Sequence, residues 1–140
     1  MTCLVAMDDT AKSMTRQQGL TMARYSLTTS ITGDHIPIRW STREFNFGIT
    51  YKNGIITITE PGYYRITFTC YSSYQLPDYI ECKTHVNGDV RLVTTSTRAA
   101  PGFMHSIIKM DVFDTVYFSK SRSPPFQGGK HKNYFTIEKL

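Results

Sequence analysis

The chain has 140 residues, of which 40% are hydrophobic and 19% are charged, and its formal net charge is +5. This length fits a single domain, and this composition excludes a chain that is disordered throughout. No apolar run reaches the roughly 20 residues that a membrane helix needs, so we expect no membrane insertion by this chain. Aromatic residues make up 13% of the chain, a share that favours sheet over helix.

Residues 1–23 differ from the rest of the chain, because they are polar and lack a strand pattern. We predict that they form a flexible N-terminal arm and that residues 24–140 form one folded domain. From Arg24 onward the sequence alternates between apolar and polar residues and is rich in Thr, Ile, Val and Tyr. This alternation predicts a first strand at Tyr25–Ile31 and a short extended segment at Ile36–Trp40.

A hairpin and a second turn follow in the first half of the domain. Phe45–Tyr51 alternates, Asn53-Gly54 comes next, and Ile55–Thr59 reads as the return strand. Asn-Gly between two alternating runs is a strong hairpin signal. Glu60-Pro61-Gly62 then predicts a tight turn, which leads into a strand at Tyr63–Tyr71.

The second half of the domain continues in the same way, with Asn87-Gly88 as another hairpin signal. A turn is predicted at Asp111–Asp114 and a long polar loop at Ser119–Lys132. Nine or ten short strands separated by turn signals are typical of an antiparallel sandwich or barrel, so we predict an all-β fold. The strands predicted here are Ile80–Val86, Val90–Thr97, Phe103–Met110, Thr115–Phe118 and Asn133–Leu140.

Motifs that carry catalysis are missing from the sequence. The four histidines show neither H-x-x-x-H nor H-E-x-x-H spacing, and there is no G-x-S-x-G elbow, P-loop or G-x-G-x-x-G. We therefore predict that the protein is not an enzyme and that it uses no cofactor and no metal. The alternative is a metal site assembled in space from distant histidines.

Two of the three cysteines, Cys70 and Cys82, flank the predicted loop Ser72–Asp78. A disulfide between them would close this loop if the protein matures in an oxidising compartment, and otherwise both remain thiols. Cys3 lies in the predicted arm, where we expect a free thiol.

The predicted loop Ser119–Lys132 has four cations, Lys120, Arg122, Lys130 and Lys132, and no acid. The functional interpretation is an anionic partner such as a glycan or an acidic receptor. The alternative is a solvated loop without a partner. Phe126, which lies between Pro-Pro and Gly-Gly, either packs on the domain or contacts another chain. No nucleic-acid partner is predicted.

Three runs of sequence, in this order, resemble the ligand domain of the tumour necrosis factor (TNF) family. They are Ile38-Arg39-Trp40, the run from Gly48 to Tyr64 with its Pro61-Gly62 turn, and the ending Tyr134-Phe135-Thr-Ile-Glu-Lys-Leu140. The related C1q globular domain shares much of this pattern, and Trp40 is closer to the TNF side. Both families favour Gly-Asp before the penultimate strand, where this chain has Phe113-Asp114.

The resemblance implies a two-sheet antiparallel jelly-roll sandwich of the TNF/C1q type, which assembles as a homotrimer. It implies a cytokine-like ligand, either secreted or the ectodomain of a type II membrane protein. Such a ligand binds and clusters a cell-surface receptor through grooves between protomers. The receptor-contact candidates are His35, Arg39, Tyr74, Asp89, Arg91 and Phe126. The trimer-interface candidates are Tyr64, Phe68, Tyr134 and Phe135, because aromatics on both faces of a strand suggest a further packed layer.

Other interpretations of the same sequence stay open. One is a C1q-like recognition module that binds glycans or other anionic surfaces. Another is a structural trimeric knob, and a third is a monomer whose tyrosines simply tolerate solvent.

Overall fold

The computed structural model describes residues 20–31, 34–71, 80–96, 100–121 and 133–140. These residues form ten strands, and none of them forms a helix that is long and apolar enough to cross a membrane. The strands are β1 (Met22–Ser26), β2 (Thr42–Phe47), β3 (Thr50–Lys52), β4 (Ile55–Thr57), β5 (Gly62–Cys70), β6 (Ile80–Val86), β7 (Asp89–Ser96), β8 (Gly102–Met110), β9 (Thr115–Ser121) and β10 (Tyr134–Lys139).

The strands form two five-stranded sheets. The first sheet has the order β2-β1-β10-β5-β8, the second has the order β3-β4-β9-β6-β7, and the strand pairs are antiparallel. The chain passes repeatedly from one sheet to the other, as in β4 to β5 and β8 to β9. This is a two-sheet jelly-roll sandwich, and the predicted fold class is confirmed.

Both Asn-Gly dipeptides form the predicted two-residue turns. Asn53 and Gly54 have φ values of 51° and 87°, and Asn87 and Gly88 have values of 52° and 86°. Positive φ at both central residues matches the right-handed twist of paired strands, and Asn-Gly adopts it readily. Sequence reasoning is therefore most reliable at these turns.

The predicted strand Phe45–Tyr51 is wrong as a single element. Gly48 has a φ of 76°, in the left-handed region that glycine adopts without the steric cost of a Cβ. The chain breaks there, so β2 joins the first sheet and β3 joins the second. The predicted segment Ile36–Trp40 forms no strand of its own, although the Ile38 N–H donates to the Phe118 carbonyl at 2.8 Å.

A cluster of aromatic rings fills the space between the sheets. The Trp40 ring lies 5.8 Å from Phe68, 6.0 Å from Phe118 and 5.2 Å from Phe135, mostly edge to face. Phe68 and Phe135 belong to the first sheet and Phe118 to the second. Edge-to-face rings at this spacing attract each other beyond their area burial, so the cluster holds the two sheets together.

Three of the four trimer-interface candidates belong to this interior. Tyr64 and Phe68 are each 1% exposed and Phe135 is not exposed, so none of them can touch a second chain, and the prediction is corrected for them. The alternation in β5 and β10 gives each strand two faces. The face with more large apolar side chains packs against the other sheet, because the interior of the sandwich excludes water. The fourth candidate, Tyr134, points outward and is partly exposed.

Candidate interaction surfaces

The outer face of the first sheet carries large apolar side chains in contact with solvent. Phe103 is 60% exposed, Tyr63 56% and Ile107 52%. They alternate along β5 and β8 with buried residues, so they share one face. We define the outer face of the first sheet by the outward residues of β5, β8 and β10. They are Tyr63, Arg65, Thr67, Thr69, Phe103, His105, Ile107, Lys109, Tyr134, Thr136 and Glu138.

Several charges around this face are already paired within the chain. The Arg65 Nη1 lies 3.0 Å from the Glu138 Oε1, and the Arg24 guanidinium lies 3.9 Å from the centre of the Tyr134 ring. Such exposed pairs add at most about 1 kcal/mol to stability. Because Arg65, Glu138 and Arg24 already have partners within the chain, they need no new partner when another apolar surface covers the neighbouring side chains.

The outer face of the second sheet is more polar. Along β6, β7 and β9 it presents hydroxyls and charges, including the pair Lys83 Nζ and Glu81 Oε1 at 3.9 Å. Val93 and Val90 of β7 are 53% and 47% exposed, but both are smaller than Ile107, and the described residues of this face include no aromatic side chain as exposed as Phe103 or Tyr63. Of the two outer faces, the first sheet's therefore resembles an interface core more closely.

A serine and a histidine meet on the second sheet. The His85 Nε2 lies 2.7 Å from the Ser119 Oγ, and the His85 ring stacks on Tyr117 at 4.3 Å. Burial lowers the pKa of His85, which favours the neutral ring at pH 7. Ser119 is only 2% exposed, so a substrate has no access to its hydroxyl. This contact links neighbouring strands.

Four of the six receptor-contact candidates lie beside the second sheet's strand pair β9–β6, two on each side of the pair. His35 and Arg39 belong to the segment that runs beside β9, where the His35 N–H donates to the Lys120 carbonyl at 2.8 Å. Asp89 and Arg91 lie on β7, the opposite edge strand. With β9 and β6 between them, the two pairs are separated by about 14 Å in the direction across the strands of one chain. Tyr74 and Phe126 lie outside the described residues.

Lys120 is not part of a solvated loop. Strand β9 extends to Ser121, and Lys120 is fully buried on its inner side, opposite Cys82. Burial lowers the pKa of Lys120, while the nearby Asp34 carboxylate acts in the opposite direction. Residues 119–121 of the predicted basic loop therefore belong to β9, and its other three cations, Arg122, Lys130 and Lys132, lie outside the described residues.

Two neighbouring turns at one end of the sandwich are joined through Asp114. The carboxylate of Asp114 accepts hydrogen bonds from the Asp111 N–H at 2.7 Å and from the Asn87 side-chain amide at 3.1 Å. The Asn87 Oδ1 in turn accepts from the Thr115 N–H at 2.9 Å. These bonds fix the β8–β9 turn against the β6–β7 turn.

Phe113, in the β8–β9 turn, entered the sequence analysis only as a departure from Gly-Asp, and its exposure was not predicted. It is 79% exposed, and its φ of 73° is unusual for a bulky residue. The left-handed conformation costs a residue with a Cβ about 1–2 kcal/mol. The departure from Gly-Asp at Phe113-Asp114 was the available signal.

Replacing Asp114 by alanine should destabilise the protein in a pH-dependent way. Hydrogen bonds from Asp111 and Asn87 lower the pKa of the Asp114 carboxyl, so the folded state favours its ionised form. The contribution is therefore present above the ordinary pKa of about 4 and is lost as the pH falls through the lowered value. Urea denaturation should show a loss of about 1 kcal/mol at pH 7.

The control for Asp114→Ala is Asp89→Ala, which removes an exposed carboxylate from the neighbouring hairpin. A destabilisation by Asp114→Ala that stays the same between pH 7 and pH 3 would contradict the assigned role of the carboxylate.

Cys70 and Cys82 are free thiols in this structure. Both are fully buried.

Among the residues that the structure describes, no group of three or more His, Cys, Asp or Glu side chains is placed to hold a metal ion.

Comparison with known proteins finds likeness in structure rather than in sequence. No family model matches the chain, and no curated protein matches it. Murine APRIL superposes with a TM-score of 0.69 at 10% identity, over 86% of this chain and 99% of that one. Eiger TNF from S. frugiperda gives 0.69 at 14% identity, over 86% and 92%. Pika GITRL gives 0.59 at 17% identity, over 86% and 95%.

This chain has the TNF-like jelly-roll fold. The resemblance drawn from the order of its sequence motifs is thereby confirmed at the level of the fold. At these identities the likeness shows the fold alone. The surfaces of the TNF-like domain must therefore be interpreted from its own residues.

Proposed function

We propose that this TNF-like domain is an extracellular homotrimeric ligand that clusters a cell-surface receptor. The observation that supports this most is the apolar outer face of the first sheet, with Phe103, Tyr63 and Ile107 more than half exposed. Patches of this kind on a soluble domain mark interaction sites. On this proposal three copies bury these faces against each other, and no bond is made or broken in signalling.

The placement of the receptor-contact candidates fits a groove between two protomers. His35 and Arg39 lie beside β9, and Asp89 and Arg91 lie on the opposite edge strand β7. In a ring of copies related by rotation, one side of each protomer faces the other side of the next. A groove formed in this way would combine the two candidate pairs and offer three equivalent receptor sites. Arginine is a common anchor in such contacts.

Cell binding by fluorescently labelled protein tests the clustering mechanism. We compare the wild type with Ile107→Glu, a substitution designed to separate the protomers, by flow cytometry on a panel of cell lines. Three linked sites should bind with an apparent affinity at least about 100-fold tighter than one. Equal binding by the two proteins, or no saturable binding to any line, would count against a clustering ligand.

Enzymatic treatment of the cells distinguishes the receptor classes. Brief surface proteolysis should abolish binding to a receptor protein, whereas heparinase should leave that binding unchanged. Loss of binding after heparinase alone would instead indicate an anionic glycan as the main partner and would favour a recognition module of the C1q kind.

A further inference from the structure

Two buried cysteines face each other across the sandwich. Cys70 is the last residue of β5 in the first sheet, and Cys82 lies near the start of β6 in the second sheet. Neither is exposed. A Cβ placed at Gly102 would lie 2.8 Å from the Cys70 Sγ and 3.0 Å from the Thr94 Cγ2, and Thr94 lies opposite Cys82 in the register of β6 and β7. Two buried cysteines that share these neighbours, one from each sheet, are placed where a covalent link between the sheets can form.

The neighbouring strand leaves room for the sulfur of Cys70. Gly102 lies directly opposite Cys70 in the register of β5 and β8. A Cβ at Gly102 would come within 2.8 Å of the Cys70 Sγ and 3.1 Å of the Thr95 carbonyl oxygen. A larger residue at this position would displace the sulfur, so the absence of a side chain at Gly102 keeps the Cys70 Sγ in its place between β8 and the other sheet.

We propose that Cys70 and Cys82 are a covalent modification site at which a disulfide joins the two sheets. The bond would tie the end of β5 to the start of β6 and close the chain between them. This inference is independent of the proposed ligand function, because it requires neither a trimer nor a receptor.

The oxidation balances with a low-molecular-weight disulfide such as oxidised glutathione. One cysteine loses its proton and attacks a glutathione sulfur, which gives a mixed disulfide and releases one glutathione thiolate. The second cysteine then loses its proton and attacks the protein sulfur of the mixed disulfide, which releases the second thiolate. The two protons end on the two glutathione thiols, and the two electrons reduce the glutathione disulfide.

Burial determines when this reaction takes place. It raises the pKa of Cys82, and the contact with Cys70 raises it further, while the ammonium of Lys120 only partly opposes the effect. The thiolate is the reactive form, so the closed sandwich protects its thiols. We therefore expect the bond to form while the chain folds, and we expect the reduced folded protein to oxidise slowly.

The test is refolding of the full chain with reduced and oxidised glutathione, followed by alkylation of the remaining thiols. Trypsin should release the peptide 66–83, which contains both cysteines and no internal Lys or Arg. We expect this peptide to be lighter than its reduced form by two hydrogens and to carry no alkyl group. Two alkylated cysteines, or a peptide that joins Cys3 to either of them, would overturn the proposal.

A second measurement tests whether the bond holds the fold. Oxidised wild type should melt about 10 °C above the same protein in dithiothreitol, because the bond restricts the unfolded chain. The matched control is the double variant Cys70→Ser, Cys82→Ser, which should show no such difference between the two conditions. A bond that forms without raising the melting temperature would contradict its role in joining the sheets.

Discussion

Replacing Ile107 by glutamate should convert the proposed trimer into monomers without unfolding the domain. Ile107 is 52% exposed on the outer face of the first sheet, so a charge is tolerated there while that face is in water. Arg65, which lies opposite Ile107 in the strand register, is already paired with Glu138, so covering three such carboxylates at an interface would cost several kcal/mol per ion. Sedimentation velocity at micromolar concentration should therefore show one-chain particles with an unchanged far-UV circular dichroism spectrum.

The matched control for Ile107→Glu is Val93→Glu. Val93 is 53% exposed, almost the same as Ile107, but it lies on the outer face of the second sheet. The substitution Val93→Glu should leave the proposed trimer intact. If Val93→Glu dissociates the protein and Ile107→Glu does not, the interface lies on the second sheet instead.

Replacing Phe135 by alanine should cause one of the largest losses of stability in the chain. Its fully buried ring contacts four other aromatic rings, those of Tyr25, Trp40, Tyr51 and Phe118. Removing such a ring costs about 3–5 kcal/mol, from lost transfer energy and from the cavity that remains. Urea denaturation at a fixed chain concentration measures this loss as a lower midpoint.

Phe135→Leu and Tyr134→Ala are the comparisons for Phe135→Ala. Leucine fills most of the space and should cost less than half as much. Tyr134→Ala, one residue away, removes a partly exposed ring on the outer face and should mainly weaken assembly. If Phe135→Ala weakened assembly and spared subunit stability, the interior position of this ring would be contradicted.

The parts of the fold that follow from local backbone chemistry could be predicted from the sequence. Asn-Gly at residues 53–54 and 87–88 has positive φ at both positions, as its steric freedom dictates. Gly48 shows the limit of this reasoning. A single glycine inside an alternating run is compatible with a continuous strand or with a break, and the choice between them depends on how the two sheets close.

The faces of the strands were harder to predict than the strands themselves. The four trimer-interface candidates came from β5 and β10, which both lie in the first sheet. Period-two alternation separates Tyr64 and Phe68 from Tyr63 and Thr67, but it does not say which set meets the partner sheet. The packing of Phe68 and Phe135 around Trp40 decides this. Trp40 lies outside any strand, so its central place depends on tertiary structure.

The solution mass of the wild-type protein tests the account most directly. Light scattering on a sizing column at micromolar concentration should give a mass near three times the 16.0 kDa of the chain. That result would support burial of the first sheet's outer face and would direct mutagenesis to the grooves between protomers. A mass of one chain under the same conditions would contradict the trimeric ligand, and the apolar outer face would then require a different partner.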